Sequence, residues 1–328
     1  MTDVTFTRPE YDAAQYRWRL VRDVCKGSET IKAAGDRYLP RPNASDTSQD
    51  NRDRYDAYKK RAVFYNATGR TKHSLVGAVF RTWPTLTVPG ALDYVSKDID
   101  GQGVSIYQQS QSIIGHLLEV GRHGLLVDYA AVQAGTVSKA DEQAGRARAN
   151  VASYPAEAII NWKTRQVGGQ HLLCLVVLRE TVDVDTDDGF GSERVVQYRV
   201  LRLSAGIYTQ EVWEEGSSKT EMTVAPFAPL NGLGQPWRII PFQFLGSENN
   251  DTTIDDSPLY DMAEVNVGHY RNSADYEEAA YLVGQPQPWM AGLDEQWRDH
   301  MEKNGIFLGS RAPWLLPVSY THLRAHET

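Results

Sequence analysis

Cysteine is nearly absent from this chain of 328 residues, which contains only Cys25 and Cys174. The two residues lie far apart and in no CxxC or Cys/His spacing, so the sequence does not support a disulfide framework or a zinc site. We expect both side chains to act as buried apolar fillers.

Long apolar runs are also missing. No stretch approaches the roughly 18 apolar residues of a membrane-spanning helix, and the N-terminal MTDVTFTRPEYDAAQ has no basic-then-apolar signal. A composition of 41% hydrophobic and 23% charged residues is ordinary for a globular protein, and the length allows two domains. We therefore expect a folded protein that is made and kept in a cytoplasm.

Enzyme signatures are lacking as well. The sequence has no P-loop, no GxGxxG after a strand, no HExxH and no GxSxG. Asp183 to Gly189 imitate a calcium loop, but Asp188 and Arg194 stand where that loop needs a glycine and a bidentate glutamate. The acidic run NNDTTIDD (249–256) lacks a closing glutamate, so we interpret it as a cap of the following helix. We predict no catalytic residue, no metal and no cofactor.

Charge is distributed unevenly along the chain, whose net charge is −8. Residues 248–278 hold nine carboxylates and a single cation, Arg271, whereas residues 51–72 hold seven cations and two carboxylates. Taken alone, each segment is most simply a solvated face.

Hydrophobic spacing predicts helices in the first third of the chain. We expect one over 9–25, two over 47–81 with a hinge near Asn66 to Gly69, and one over 105–123 that Gly124 ends. A Pro/Gly/Ser-rich connection should separate the first two.

Short strands are predicted at TLTVP (85–89) and LLVDYA (125–130). Residues 131–150 read as an exposed loop or a short surface helix. Beyond them, β-rich runs joined by turn chemistry predict an antiparallel sheet or a small barrel-like subdomain up to Gly246. The fold class is therefore α+β.

SPLYDMAEVNVGHYRNSADYEEAAYLVG (257–284) predicts one long helix. Ser257 suits the N-cap, Pro258 suits the first helical position, and Gly284 followed by two prolines marks the end. Its best stripe is only weakly apolar, so the helix should bridge solvent or find partners on several sides. The stripe consists of Leu259, Ala263, Asn266, Tyr270, Ala274, Glu277 and Tyr281.

Eight short motifs follow one another in a recognisable order. They are AGDRYLPR (34–41), YDAYKKRAVFYNATGRTKHSLVGAVFR (55–81), DIDGQGVSI (98–106), EVGRHGLLVDY (119–129), AIINW (158–162), YRVLRL (198–203), IPFQFLG (240–246) and DSPLYDMAEVNVGHYRNSADYEE (256–278). Their order and spacing resemble the portal proteins of tailed bacteriophages, and in particular a portal-like family met in phages and prophages. The resemblance covers nearly the whole chain up to Pro317, although each motif alone is weakly specific.

This resemblance implies a structural protein without chemistry of its own. Portal proteins form a ring, commonly a homododecamer, at one capsid vertex, through which double-stranded DNA is packaged and ejected. The implied regions are a helical wing region (1–130), a β-rich wing region (131–250), a stem helix with its acidic approach (251–284) and a partial clip region (285–317).

The resemblance also implies partners and a location. The partners would be further copies of the chain, the terminase large subunit, the major capsid and scaffold proteins, and head-completion proteins. DNA would pass without sequence-specific binding, and no membrane is involved. The protein would be assembled in the host bacterial cytoplasm and reside in the virion.

In such a ring each stem helix touches neighbours on both sides and faces water in the channel. We expect subunit contacts at Ala263, Tyr270 and Ala274. Carboxylates on the channel side would repel DNA phosphates and keep the DNA from sticking. The candidate channel-facing residues are Asp261, Glu264, Asp275, Glu277 and Glu278.

Residues 318–328, VSYTHLRAHET, look like a translated sequencing adaptor. We therefore expect them to be a non-native tail and homologous sequence to stop near Pro317; a genuine short basic tail is the alternative. Two other functions remain open. One is a phage head or connector protein without a channel role, and the other is a hydrolase whose site is assembled from dispersed Asp, Glu and His residues.

Overall fold

The chain forms two units that interleave in sequence. The first comprises Met1–Tyr38 and Phe64–His269, and the second Leu39–Val63 and Tyr270–Thr328. In the second unit, Leu39–Val63 packs with the C-terminal part of the chain. The four consecutive regions that the resemblance implies stay a prediction. The computed structural model describes residues 3–129, 148–186, 189–216, 220–231, 234–284, 289–291, 296, 299–300, 303 and 314–316.

The main α-helices lie in the first third of the chain and in its C-terminal part. In chain order they are α1 (Pro9–Lys26), α2 (Ser28–Ala33), α3 (Gln49–Arg61), α4 (Ala67–Val79), α5 (Ile106–Val120) and α6 (Tyr260–Gly284). Short 3-10 helices cover Gly35–Arg37, Gly90–Ser96 and Ala156–Ala158. In the described part of the chain, no helix combines the length and the apolar character needed to cross a membrane.

Most of the predicted helices are confirmed, with corrections at their ends. The break predicted near Asn66 to Gly69 is confirmed, since the Asn66 side chain accepts a hydrogen bond from the Gly69 N–H at 2.8 Å and caps α4. The α5 helix ends earlier than predicted, because Gly121 adopts a left-handed conformation (φ 71°) just after Val120. Gly124 instead lies inside the next strand.

Two other local predictions were wrong. The connection after α1 contains the short helix α2, whereas TLTVP (85–89) forms no strand. Pro84 precedes that segment and Pro89 is its last residue, and proline cannot donate a ladder hydrogen bond.

The strands form two antiparallel sheets and one parallel pair. They are β1 (Arg122–Tyr129), β2 (Ala149–Pro155), β3 (Ile159–Val167), β4 (Gln170–Asp185), β5 (Ser192–Ser204), β6 (Ile207–Glu215), β7 (Thr220–Phe227), β8 (Phe242–Gly246), β9 (Trp289–Ala291) and β10 (Trp314–Leu316). One sheet has the order β2-β1-β8, and the other has the order β3-β4-β5-β6-β7. The pair β9/β10 is parallel and belongs to the second unit.

The sheet order confirms the α+β class and the predicted antiparallel sheet. Neighbouring strands of the larger sheet follow one another in sequence, as hairpin connections require. In the described residues β7 pairs with β6 and not with β3, so the sheet is open and the barrel alternative is wrong. The prediction for residues 131–150 falls largely outside the described residues, and β2 begins at Ala149.

The core of the first unit joins α1 to both antiparallel sheets. Its buried members include Trp18, Leu126, Ile159, Leu178, Leu201 and Phe242. Cys25 is buried as predicted, whereas Cys174 is half-buried and its thiol donates to the Lys163 carbonyl at 3.3 Å. The apolar-filler role therefore fits only the first cysteine.

Gly124 of β1 packs closely against side chains of β8 and β3. A Cβ atom at this position would lie 2.4 Å from Cζ of Phe242 and 2.8 Å from Cδ1 of Ile159. Ring carbons and aliphatic carbons of a packed core cannot both retreat, so the sequence needs glycine here.

Replacing Gly124 by alanine should destabilise the protein by about 1–3 kcal/mol, because the added methyl overpacks the core. Urea unfolding followed by circular dichroism measures the change. Gly77→Ala is the matched control, since its Cβ would meet nothing within 4 Å. That control should be neutral or stabilising by up to about 1 kcal/mol, and equal losses in both variants would contradict the close packing at Gly124.

Candidate functional site

The junction between α5 and β1, Glu119–His123, is buried over five consecutive residues. Three of them carry charged or titratable side chains: Glu119, Arg122 and His123. Buried charges are costly unless they are paired, so the partners of these side chains determine what the junction does.

Glu119 joins three helices. Its carboxylate forms ion pairs with Arg22 of α1 and with Lys72 of α4, the latter with an Nζ to Oε1 distance of 2.8 Å. Arg22 also pairs with Glu157, with an Nε to Oε1 distance of 2.9 Å. The junction therefore holds α1, α4, α5 and the turn before β3 together through one charged network.

This network brings together the residue types that a dispersed Asp/Glu/His site of a hydrolase would need. His116, Glu119 and Glu157 come together around Arg22. The Glu119 side chain is only 8% exposed, and both of its oxygens are occupied by cations. A catalytic base needs a free lone pair within reach of a substrate, so the arrangement fits a structural ion network better.

His123 extends the network into the sheet. Its ring stacks on His116 at a centroid distance of 5.0 Å, and its Nε2 lies 2.6 Å from the Ser153 hydroxyl. Burial, together with His116 and the Arg22 charge, lowers the pKa of His123 from 6.5 to about 3. The folded protein therefore holds this imidazole neutral.

Arg122 fixes the acidic loop that precedes α6. Its Nη1 donates to the carbonyls of Thr252 at 3.1 Å and Thr253 at 2.8 Å. Its guanidinium carbon lies 4.1 Å from the ring centroid of Trp162 and 4.4 Å from that of Phe244. Burial lowers the pKa of Arg122 to about 10, and the aromatic faces stabilise the cation that remains.

The acidic loop is folded by its own side chains. Asp255 is buried and accepts the backbone N–H groups of Glu248 at 2.8 Å and Asn249 at 3.2 Å. The predicted N-cap is wrong: the Ser257 hydroxyl donates to the Glu119 carbonyl, and α6 begins only at Tyr260. The acidic run therefore shapes the approach to the helix and does not cap it.

One side of α6 is covered by its own chain. The predicted stripe is buried at Leu259, Ala263, Asn266, Tyr270 and Ala274, half-buried at Glu277, and exposed at Tyr281. The helix is thus covered along one side and exposed on the others.

Asn266 explains the polar residue in the buried stripe. Its Nδ2 donates to the Tyr65 carbonyl at 2.9 Å. Its Oδ1 accepts from the backbone N–H and the hydroxyl of Thr68 at 3.2 and 3.1 Å. The amide therefore ties α6 to the start of α4.

The three predicted subunit contacts lie in the buried stripe. Ala263 and Ala274 are 0% exposed, and Tyr270 is 1% exposed. The chain itself covers these side chains, so the structure does not bring them to a surface that a second subunit could contact.

The five candidate channel-facing carboxylates do not share one face. At about 100° per residue, Asp261, Glu264 and Asp275 fall within a sector of roughly 60°, which we call the acidic face, and all three are exposed. Glu277 lies on nearly the opposite side and is half-buried. Glu278 is also half-buried and forms an ion pair with Arg61.

Arg61 and Glu278 show that the basic and acidic segments complement each other in part. Both residues belong to the second unit, where the Tyr58 hydroxyl also donates to Asp275 at 2.6 Å. A cavity of about 590 Å³ lies beside these pairs, lined by residues 42–58 and by the second half of α6. The expectation of solvated faces was therefore incomplete. The sequence signal for this pairing was the opposite net charge of residues 51–72 and 248–278.

A third side of α6 is apolar and exposed. Val265 is 73% exposed, Tyr276 71% and Val283 84%. At about 100° per residue these side chains fall within a sector of roughly 20°, which we call the apolar stripe. The helix thus presents a buried side, an acidic face and an apolar stripe.

A comparison with known protein families matches the C-terminal part of the chain. A family model described as Domain of unknown function (DUF4055), a phage-associated family, matches residues 258–327. The matched range includes α6 and runs past Pro317, where we expected homologous sequence to stop. No curated protein matches the chain. The described residues contain no group of three or more His, Cys, Asp or Glu placed to hold a metal ion.

Acidification should destabilise the protein through His123. Its folded-state pKa lies below 6.5, so the unfolded chain binds the extra proton and stability falls as the pH drops below about 6.5. The loss for this one group should reach about 2 kcal/mol near pH 5.

Urea unfolding between about pH 7 and pH 5 tests this expectation. His123→Gln should flatten the profile, whereas His73→Gln, the same change at an exposed histidine of α4, should leave it unchanged. A wild-type profile without a fall, or an equal slope in His123→Gln, would contradict the assignment.

Proposed function

We propose that this chain is a subunit of a phage portal ring, the conduit at one capsid vertex through which double-stranded DNA is packaged and ejected. Two sequence findings support the proposal: the ordered motifs that resemble portal proteins, and the match of residues 258–327 to a phage-associated family.

The division of the α6 surface into three sides carries the proposal. A helix of a monomeric protein needs only a covered side and a polar side. On α6 the exposed surface is itself divided, because Val265, Tyr276 and Val283 leave an apolar stripe beside the acidic face. These exposed apolar side chains are available for contact with another chain. In a ring, the apolar stripe would contact the next subunit.

The acidic face suits a conduit. Proteins that hold DNA place Lys and Arg on phosphates, and each contact adds affinity and salt dependence. Glu264 and Asp275 present the opposite charge to solvent. If they line the channel, they lower the affinity of its wall for DNA, so that the DNA can move through it.

A head or connector protein without a channel role would use the apolar stripe in the same way. It would give no reason for an acidic face beside that stripe. The partners of a portal ring, namely the terminase large subunit, capsid and scaffold proteins and head-completion proteins, belong to the same proposal.

Electron microscopy of the purified chain, with length-matched phage homologues as a reference, should show rings with a central hole. Val265→Asp should dissociate them, because it places a charge in the apolar stripe. Discrete monomers with measurable hydrolytic turnover would favour the hydrolase, and closed particles without a hole would favour the connector.

Charge on the acidic face should control how firmly assembled rings hold DNA. Glu264→Lys should increase retention of linear duplex DNA at low salt by about tenfold, with retention falling steeply as salt is raised. Filter binding at several salt concentrations measures the effect. Glu193→Lys, the same change at an exposed position of β5, is the control, and equal retention in the two variants would count against a lumenal acidic face.

A further inference from the structure

A second exposed apolar surface lies in the first unit, on residues 73–92, which we call the apolar arm. It comprises the C-terminal half of α4, the irregular segment after that helix and the start of the 3-10 helix Gly90–Ser96. Its large exposed side chains are Leu75 (41% exposed), Val79 (56%), Trp83 (40%), Leu86 (38%) and Leu92 (40%).

The arm is held in place by aromatic contacts. The Trp83 ring lies 4.6 Å from Phe80 and 5.0 Å from Tyr107 of α5, measured between ring centroids. Trp83 is therefore anchored on its own unit and still presents part of its surface to solvent. Anchored aromatic side chains of this kind are typical centres of protein interfaces.

The charge of the arm has one sign. The sequence contains no carboxylate between Asp56 and Asp93. Arg81 is exposed in the middle of the arm, and its side chain makes no ion pair among the described residues. A partner for this surface should combine apolar area with negative charge.

The first turns of α6 offer that combination. Val265 is 73% exposed and Met262 is 39% exposed. Asp261 is exposed at the border of the acidic face, about 40° from Val265 around the helix. Within the described chain Asp261, like Arg81, makes no ion pair.

We infer that the apolar arm of one subunit packs on the Asp261–Val265 turn of the next subunit, with Arg81 facing Asp261. This inference rests on the proposed ring and names the surfaces that would close it. Two different patches on one chain make a head-to-tail contact, which is the kind that generates rings. A two-fold contact of arm with arm would instead bring like charges together.

A charge swap in the full chain tests the contact. Arg81→Glu and Asp261→Arg should each weaken self-association about tenfold, and the double variant should return to within a few-fold of wild type. Sedimentation velocity over a concentration series measures the dissociation constants. Arg165→Glu, an equal charge change at an exposed position of β3, is the control.

The possible outcomes separate this inference from the proposed function. If the wild type self-associates but the double variant does not recover, the arm contact is wrong and the proposed ring is not affected. If the double variant recovers self-association but the oligomers are open and lack a central hole, the arm contact is supported and the proposed ring is contradicted. If Arg81→Glu lowers binding of duplex DNA and leaves self-association unchanged, the arm is a nucleic-acid surface and the inference fails. Wild type that stays monomeric at every concentration overturns both.

Discussion

Burial of charge at the junction between α5 and β1 is the constraint on which the first unit depends. Glu119 is held by Arg22 and Lys72 from two other helices, and Arg122 is held by loop carbonyls and aromatic faces. Breaking a buried pair from one side leaves an uncompensated charge and typically costs about 3–5 kcal/mol. Within the first unit, α1, α4, α5, the smaller sheet and the approach to α6 are therefore fixed relative to one short segment. Backbone geometry reinforces this, since a Cβ at Gly121 would lie 2.5 Å from the Asp256 carbonyl oxygen.

The same constraint explains why α6 starts where it does. Arg122 and the Ser257 hydroxyl hold the loop before the helix, and Asp255 folds that loop on itself. The first turns of α6 then pack on the start of α4 through Asn266, whose side-chain amide forms hydrogen bonds with Tyr65 and Thr68. A helix positioned by polar contacts does not need a continuous apolar face. Its remaining surface is free to carry acidic and apolar groups that serve other contacts.

The sequence allowed much of the architecture to be predicted. Apolar spacing located α1, α3, α4 and α5, and turn residues separated the strands of the larger sheet, because both signals act over a few residues. Errors occurred where a distant partner decides the outcome. The left-handed Gly121 that ends α5 lies against the acidic loop with no room for a Cβ, and the Ser257 hydroxyl donates to the Glu119 carbonyl instead of capping α6.

The sequence by itself determined the α+β class, the long helix, the uneven charge and the resemblance to phage portal proteins. Only the tertiary structure decided which side of α6 is covered. It buried Ala263, Tyr270 and Ala274, left Val265 exposed, and paired Glu278 with the basic segment through Arg61. The reason is physical: periodicity assigns residues to one side of a helix, but the identity of the neighbour depends on contacts between residues far apart in sequence.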